Sequence, residues 1–271
     1  MKSFLIKLIT GVCLGITILA FGFALCALPP TTTMLCNTYS ADALSPFSHD
    51  DLVYCGEATR DYTVGAHNRE SLDRVLYEIN THLIDSGYAP KNSKMHLPDL
   101  PDSSDDIEAV QAGLATASYH FVLDENAISH LDDVYEVVAG VRLPLFLIAG
   151  VACVGLIFCG RKEGCAALGR VLRNTGRFVL ALFCVCGLWA ALNFSSFFAF
   201  FHSLFFANGT WTFPIDSLLI CMYPQNFWIA MAGIWFAASA GASILAIVLG
   251  RILIRQAQSG TRPNSMATKQ R

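Results

Sequence analysis

The chain has 271 residues, of which 54% are hydrophobic and only 14% charged, with a formal net charge of −3 and a mean hydropathy of +0.48. Soluble domains carry about 25% charged residues, so this composition excludes a soluble domain and indicates a membrane protein. Of the 21 acidic residues, 18 lie between Asp42 and Asp133, and the chain outside that segment is basic. The absence of a dense basic cluster predicts that nucleic acid is not a partner.

The first element is an apolar stretch of about 25 residues, Phe4–Leu28, which precedes Pro29-Pro30. It is long enough to cross a bilayer and exceeds the roughly 7–15 residues of a signal-peptide core. No small-residue cleavage site follows it. Residues 1–30 are therefore predicted to form an uncleaved first transmembrane helix.

Residues 31–135 are predicted to form a mainly helical domain of about a hundred residues. Ser48 is a candidate N-cap, and residues 105–122 are predicted to be helical. A second helix, begun by Ser71, is predicted by apolar residues at helical spacing, namely Leu72, Val75, Leu76, Ile79 and Leu83. Cys36 and Cys55 are able to form a disulfide if this domain faces an oxidising exterior, and the sequence leaves that point open.

Three further spans are predicted at Val137–Gly160, Phe178–Phe201 and Phe227–Ile254. Basic residues concentrate in the loop 161–177 and in the tail 255–271, which the positive-inside rule assigns to the cytoplasm. The acidic domain and an aromatic loop at 202–226 then face outward. The predicted fold is an all-α polytopic membrane protein with four transmembrane helices, 136–254 holding the last three, and both termini cytoplasmic.

The stretch Asn193–Trp228 is rich in Phe and contains one ionisable side chain within its apolar run, His202. A histidine at that depth is costly unless it has a partner or a function. The predicted topology puts His130 at the same membrane face, followed at i+3 by Asp133, whose carboxylate is able to orient the ring as a general base. The alternative for His202 is a structural histidine that neighbouring helices satisfy, and the alternative for the surrounding polar residues is a helix cap with an aromatic belt.

Polar groups cluster at the same level of the predicted topology. Asn193 and Ser195 lie inside the predicted third span, where an unpaired amide is expensive. Asp216 lies among apolar and aromatic residues, with Trp211 and Pro214 nearby. Together these residues predict a site at the lipid surface.

Several stretches resemble the bacterial lipoprotein intramolecular transacylase family. They are HLDDV at His130–Val134, NFSSFFAFFHSLFFANGTW at Asn193–Trp211, SPFSHDDL at Ser45–Leu52, the region Asp216–Ile220, and YPQNFW at Tyr223–Trp228. The loop at Thr212-Phe213-Pro214 differs from the family's usual acidic-proline pattern, and Ser195 replaces its usual acid. The resemblance covers most of the chain, although residues 60–125 contribute little to it.

The resemblance implies a reaction that moves the sn-2 acyl chain of an S-diacylglyceryl-cysteine lipoprotein to the cysteine α-amine, giving a lyso-form lipoprotein. It implies a multi-pass protein of the bacterial cytoplasmic membrane with its active site on the extracytoplasmic face. The expected catalytic residues are His130, His202 and Asp133, with His130 as base and His202 as acid or the reverse. The expected substrate-binding residues are Asn193, Phe197, Phe201, Phe205, Phe206, Trp211, Asp216, Asp50 and Asp51.

No cofactor and no metal are expected, and the partners are diacylglyceryl-modified lipoproteins and membrane lipid. The oligomeric state is left open. Two other functions compatible with the residues are a metal-dependent membrane hydrolase using His130, Asp133 and His202, and a lipid- or lipoprotein-binding membrane protein without catalysis. A variant of the main mechanism has one imidazole carry the acyl group covalently.

Overall fold

The computed structural model describes residues 2–207 and 209–259. In this part of the chain the regular secondary structure is entirely helical, with no β-strand. It contains ten α-helices and a 3₁₀ turn at Asp42–Leu44. The helices are α1 Lys2–Cys26, α2 Pro29–Tyr39, α3 His49–Val64, α4 Arg69–Asp85, α5 Ile107–Leu114, α6 Glu125–Lys162, α7 Cys165–Leu192, α8 Phe194–Ser203, α9 Leu218–Met222 and α10 Gln225–Ser259. The all-helical class is confirmed. The predicted cytoplasmic tail lies, from residue 260 on, outside the described residues.

Four of these helices, α1, α6, α7 and α10, are long and apolar enough to cross a membrane. In number they match the four predicted spans. The first twelve residues of α6 include four carboxylates, those of Glu125, Asp132, Asp133 and Glu136. Because a bilayer excludes such a density of charge, the membrane-crossing part of α6 is the apolar stretch that follows, 137–160.

The third span differs from its prediction. It is α7, Cys165–Leu192, and the helix stops at Asn193 instead of continuing to Phe201. Asn193 has non-helical angles, φ −156° and ψ 87°, and its side-chain oxygen accepts the backbone N–H of Ser196 at 2.9 Å. An asparagine in this role begins a new helix, α8, so one predicted helix becomes two.

The basic stretch 161–177 was predicted as a loop and is mostly helical. α6 runs to Lys162 and α7 begins at Cys165, which leaves two residues between them. The second of these, Gly164, has φ +87°, a conformation that a residue without a side chain adopts at little cost. A two-residue turn thus joins α6 to α7, and the basic residues of 161–177 lie in the adjoining parts of these two helices.

The described residues fall into two compact units. The span unit comprises residues 2–23, 142–192 and 235–259, and the acidic unit comprises residues 24–141 and 193–234. Every acidic residue of the chain except Glu163 belongs to the acidic unit.

Small residues bring the helices of the span unit together. A Cβ atom added to Gly169 of α7 would lie 2.6 Å from the carbonyl oxygen of Gly250 on α10, and one added to Gly176 would lie 2.5 Å from that of Ser243. Gly169 and Gly176, like Ser243 and Gly250, are seven residues apart and so share one face of their helix. Close backbone approach through small residues is the usual basis of helix packing within membranes.

The core of the acidic unit contains the predicted apolar stripe of α4. Its members are all buried, namely Leu72, Val75, Leu76, Ile79 and Leu83. The helix is capped by Asn68, three residues before Ser71. The predicted cap of α3 is confirmed, because the Ser48 hydroxyl oxygen accepts the backbone N–H of Asp51 at 3.1 Å.

One further expectation for this unit is revised, and one open point is decided. The helix predicted at 105–122 is limited to Ile107–Leu114, and the Thr116 hydroxyl donates to the carbonyl of Gly113 at 2.7 Å where the chain turns away. Cys36 and Cys55 are free thiols, both buried. Burial raises the pKa of each to about 12, which keeps both protonated at neutral pH.

Candidate active site

The first histidine of the candidate site, His130, is carried by the start of α6. The Asp124 carboxylate accepts the backbone N–H of Ala127 at 2.9 Å and fixes this end of the helix. Ile128 and Leu131 are buried in the core of the acidic unit, and His130 is drawn in beside them with only 9% exposure. Its Nδ1 atom is buried and has no hydrogen-bond partner among the described residues.

The second histidine, His202, lies in the last turn of α8. Its Nδ1 atom is 2.9 Å from the carbonyl oxygen of Phe198, one turn earlier. A carbonyl only accepts, so Nδ1 carries a proton and donates it. In the neutral ring the lone pair is therefore on Nε2, which is the atom able to take up a proton.

The rings of His130 and His202 lie together, with centroids 6.3 Å apart and planes tilted by 31°. Four aromatic rings surround them. Phe206 meets His130 edge-on at 5.0 Å and Phe213 lies 5.7 Å from it, while Phe198 and Trp211 lie 3.9 and 5.0 Å from His202. We call this set of six rings the aromatic box. It leaves the two imidazoles as the ionisable groups of an otherwise apolar environment.

This environment favours the neutral form of both imidazoles. Burial, and to a smaller extent the neighbouring His202, lower the pKa of His130 to about 4, while the Asp133 carboxylate acts in the opposite direction. Burial also lowers the pKa of His202, although its hydrogen bond to Phe198 opposes the shift. His130 precedes the membrane-crossing stretch 137–160 of α6 and His202 follows α7, so both lie outside the membrane-crossing stretches. At neutral pH each ring is uncharged.

Asp133 does not orient His130 as predicted. The carboxylate is exposed, no hydrogen bond joins it to His130 in the described part of the chain, and its effect on that ring is electrostatic only. The i+3 spacing puts the two residues on one helical face, but His130 points into the aromatic box and Asp133 to the surface. Among residues 2–207 and 209–259, no group of three or more His, Cys, Asp or Glu side chains is arranged to hold a metal ion.

The predicted aromatic residues differ in their distance from the histidines. Phe206 and Trp211 belong to the aromatic box, and Phe201 lies 5.9 Å from His202. Phe205 packs on Phe201 at 5.4 Å with almost half of its surface exposed, and Phe197 is half-buried on α8.

The predicted polar residues mostly have local partners. Asn193 caps α8, and Asp51 accepts the Ser48 hydroxyl at 2.6 Å in the first turn of α3, directly after Asp50. Asp216 accepts from Nε2 of His120 at 3.2 Å. No hydrogen bond of the described residues joins any of these carboxylates to His130 or His202.

Two residues of the site were missed from the sequence. Phe198 lies four residues before His202, a helical spacing that would have brought the two together if Asn193 had been recognised as a cap. Phe213 follows α8 in an irregular segment whose path no periodicity predicts.

Comparison with known proteins bears on this geometry. The model of the family "Lipoprotein intramolecular transacylase Lit" matches residues 61–228, a range that includes both histidines and the whole aromatic box. This chain belongs to that family. As a lipoprotein intramolecular transacylase it is an acyltransferase and a multi-pass membrane protein. None of the curated proteins matches the sequence.

The transacylase fold is also found in solved structures. A membrane-integral lipoprotein intramolecular transacylase from Bacillus cereus is 18% identical, with a TM-score of 0.63 over 95% of this chain and 98% of that one. Structures of the same bacterial protein with one histidine replaced by arginine or alanine are 17% identical, with TM-scores of 0.56. They cover 96% and 95% of this chain and 95% and 96% of theirs. At such identities the likeness concerns the fold.

Proposed function

We propose that this transacylase moves the sn-2 acyl chain of an S-diacylglyceryl-cysteine lipoprotein to the α-amine of the same cysteine, with His202 as the base and His130 as a neutral hydrogen-bond donor to the oxyanion. Family membership supports the reaction class. The observation that carries the residue roles is the pair of uncharged imidazoles in the aromatic box, one of which has a fixed tautomer.

His202 is the better base. Its Nδ1 proton is engaged by the carbonyl of Phe198, so the lone pair on Nε2 is available for a proton of the attacking amine. The hydrogen bond to Phe198 also favours the imidazolium that forms when the proton is taken up. In this assignment the backbone of α8 orients the base, a role that the sequence had given to Asp133.

His130 serves as donor. With a pKa of about 4 it is a poor base and is unprotonated at neutral pH. A neutral imidazole still carries one N–H, which is able to donate to the tetrahedral oxyanion without a proton transfer. The apolar surroundings strengthen such a hydrogen bond.

The steps balance without a co-reactant. The amine nitrogen attacks the sn-2 carbonyl carbon, its proton passes to Nε2 of His202, and the oxyanion accepts from His130. The intermediate then collapses with cleavage of the bond between that carbon and the glycerol oxygen, which takes the proton back from His202. Amine and ester belong to one molecule, so much of the entropic barrier is removed by the substrate itself, where effective molarities reach roughly 10⁵–10⁸ M.

The acyl chains are proposed to lie along the aromatic face of α8 and the residues after it. Phe200, Leu204 and Phe205 are each about half exposed there, which gives the apolar surface that a lipid tail contacts. We assign Phe197, Phe201 and Phe206 to the same surface. The positive-inside distribution supports a cytoplasmic membrane location with the aromatic box on the extracytoplasmic face.

The test is mass spectrometry of the N-terminal peptide of a reporter lipoprotein, from cells with and without this chain. The expected product has one acyl group on the amine and one on glycerol. If fragmentation finds both acyl groups on glycerol in cells that accumulate the protein, the proposed reaction is wrong. Activity of the purified protein that is abolished by a chelator and restored by a metal would instead favour the hydrolase class.

A further inference from the structure

One short segment contacts both catalytic rings. In residues 211–213, Trp211 lies 5.0 Å from His202 and Phe213 lies 5.7 Å from His130, measured between ring centroids. This segment therefore supplies half of the four rings that surround the histidines. Its position decides how well the aromatic box excludes water.

Few interactions fix that segment. Within the described part of the chain, the hydrogen bonds made by residues 209–212 are short-range, and in them the hydroxyls of Thr210 and Thr212 donate to carbonyls three residues earlier. Among the described residues, the only hydrogen bond from 209–216 to an element outside 207–221 joins Asp216 to His120. Its length is 3.2 Å between the carboxylate oxygen and Nε2 of the ring.

His120 is built to receive Asp216. The ring is buried, with 7% exposure, and the Ser118 hydroxyl lies 3.2 Å from its Nδ1 atom. Because Asp216 requires a donor at Nε2, the neutral ring has its lone pair on Nδ1 and accepts from Ser118. Both nitrogens are thus engaged, and the ring plane is held by the contact with Tyr119 at 4.2 Å.

The helix that follows has its own anchors. Leu218, Cys221 and Met222 of α9 are completely buried, and the backbone N–H of Leu218 donates to the carbonyl of Tyr119 at 2.9 Å. The fold of α9 therefore does not depend on Asp216. The hydrogen bond between His120 and Asp216 lies just before α9. There the Pro214 carbonyl accepts the N–H of Ser217 at 3.0 Å, and the chain turns back from the aromatic box.

We propose that His120 and Asp216 are positioning residues for acyl transfer, and that their hydrogen bond holds Phe213 and Trp211 against the two catalytic histidines. The proposal rests on the proposed function of His130 and His202. It assigns to Asp216 a structural contact with His120 in place of contact with substrate.

The first test replaces Asp216 by Asn and, separately, His120 by Gln. Each change is expected to lower kcat about tenfold while KM changes less, since the rings that enclose the reacting groups lose their alignment. Asp216→Glu keeps the charge and is expected to recover most of the activity. The control is His82→Gln, which removes another contact between a histidine and an aspartate, the exposed pair His82–Asp51 at 3.3 Å, far from the aromatic box in sequence.

The second readout is the titration of His130 and His202, followed by NMR of ring-labelled protein in detergent micelles. Looser packing admits water, so Asp216→Asn is expected to move both midpoints upward, toward the ordinary value of about 6.5. Groups that face His130 are His202 and Asp133, and both remain in the variant. This titration needs no substrate, so its result remains valid even if the wild-type protein fails to transfer acyl groups. Such a failure would refute the proposed reaction but not the positioning role of His120 and Asp216.

A comparison of single and double variants tests whether the loss of activity in Asp216→Asn arises through residues 211–213. If the hydrogen bond between His120 and Asp216 acts through residues 211–213, Asp216→Asn adds little to the loss already caused by Phe213→Ala. Fully additive losses, unchanged histidine midpoints in Asp216→Asn, or activity equal to that of His82→Gln would each overturn the proposal. If Asp216→Asn fails to accumulate, His120→Gln, which removes the same hydrogen bond, takes its place in each comparison.

Discussion

Two kinds of histidine occur in the acidic unit. His67, His82 and His120 each lie within hydrogen-bond or ion-pair distance of a carboxylate, at 3.7, 3.3 and 3.2 Å from Asp132, Asp51 and Asp216. His130 and His202 have aromatic neighbours and no such carboxylate among the described residues. Among these five histidines, the two proposed for catalysis are those for which the described residues provide no acidic partner.

The difference follows from what each environment does to the ring. A carboxylate at hydrogen-bond distance accepts an N–H of the ring and fixes its orientation, which suits a residue that ties two elements together. An apolar enclosure destabilises the imidazolium and keeps the ring neutral, which suits a proton acceptor and an oxyanion donor. The acidic unit therefore uses one residue type for two purposes, and the partner of the ring separates them, since His120 is as buried as His130.

The strongest test of this contrast separates the two catalytic roles. His202→Gln is expected to lower acyl transfer by roughly 10²–10⁴-fold, because an amide cannot take up the proton. His130→Gln retains an N–H donor and is expected to keep more activity than His130→Ala, for which a loss of about 10²–10³-fold is expected. Rates are measured on a synthetic diacylglyceryl lipopeptide with purified protein.

The reverse order of losses would exchange the two roles. Equal, complete losses in all three variants, with unchanged thermal unfolding, would favour a covalent acyl-imidazole step. Protein amount and thermal unfolding in detergent serve as controls for each variant.

The pH dependence of the rate is the next test. His202 must be unprotonated to act as base, so activity is expected to fall about tenfold per pH unit below its pKa, which burial holds under the ordinary value of about 6.5. Trp211→Leu opens one side of this ring and is expected to move the acid limb upward. Ionisation of the substrate amine is common to both proteins and cancels in the comparison. An identical acid limb in the two would contradict the role of the aromatic box.

The pH dependence of the free energy of unfolding should report the burial of His130 directly. Its pKa is about 4 in the folded protein and about 6.5 when unfolded, so the unfolded chain binds the proton more readily. The free energy of unfolding is then unaffected above pH 6.5 and falls as the pH drops from there to 4, by at most about 3 kcal/mol. Thermal unfolding in detergent at several pH values, compared with His130→Gln, measures this contribution; a variant as acid-sensitive as the wild type would disprove it.

The smallest effect is expected for His82, whose ring pairs with a carboxylate at the surface. His82 is largely exposed beside Asp51, and surface ion pairs contribute about 0–1 kcal/mol. His82→Gln should leave activity within about twofold and the unfolding temperature nearly unchanged, because the site is screened by water. A loss as large as that of His120→Gln would show that the two histidine–carboxylate pairs have the same effect, and would contradict a specific positioning role for His120.

Much of the architecture was predictable because it depends on local composition. Four apolar stretches predicted four spanning helices, the stripe from Leu72 to Leu83 predicted the buried face of α4, and Ser48 predicted the cap of α3. The resemblance carried by His130 and His202 led to the family that the sequence model confirms. The end of the third span was missed, since an apolar run continues past Asn193 and only the backbone turn reveals the cap.

The sequence by itself determined that this chain is a helical membrane protein with a separate acidic segment and two histidines of special interest, because hydropathy, charge and motif are properties of neighbouring residues. Tertiary structure decided what those histidines are. The orientation of His202 by the Phe198 carbonyl, the exposure of Asp133, the contacts of Phe213 and Trp211, and the pairing of His120 with Asp216 depend on burial. Burial is set by residues distant in the chain, and the protonation state of an imidazole follows from it.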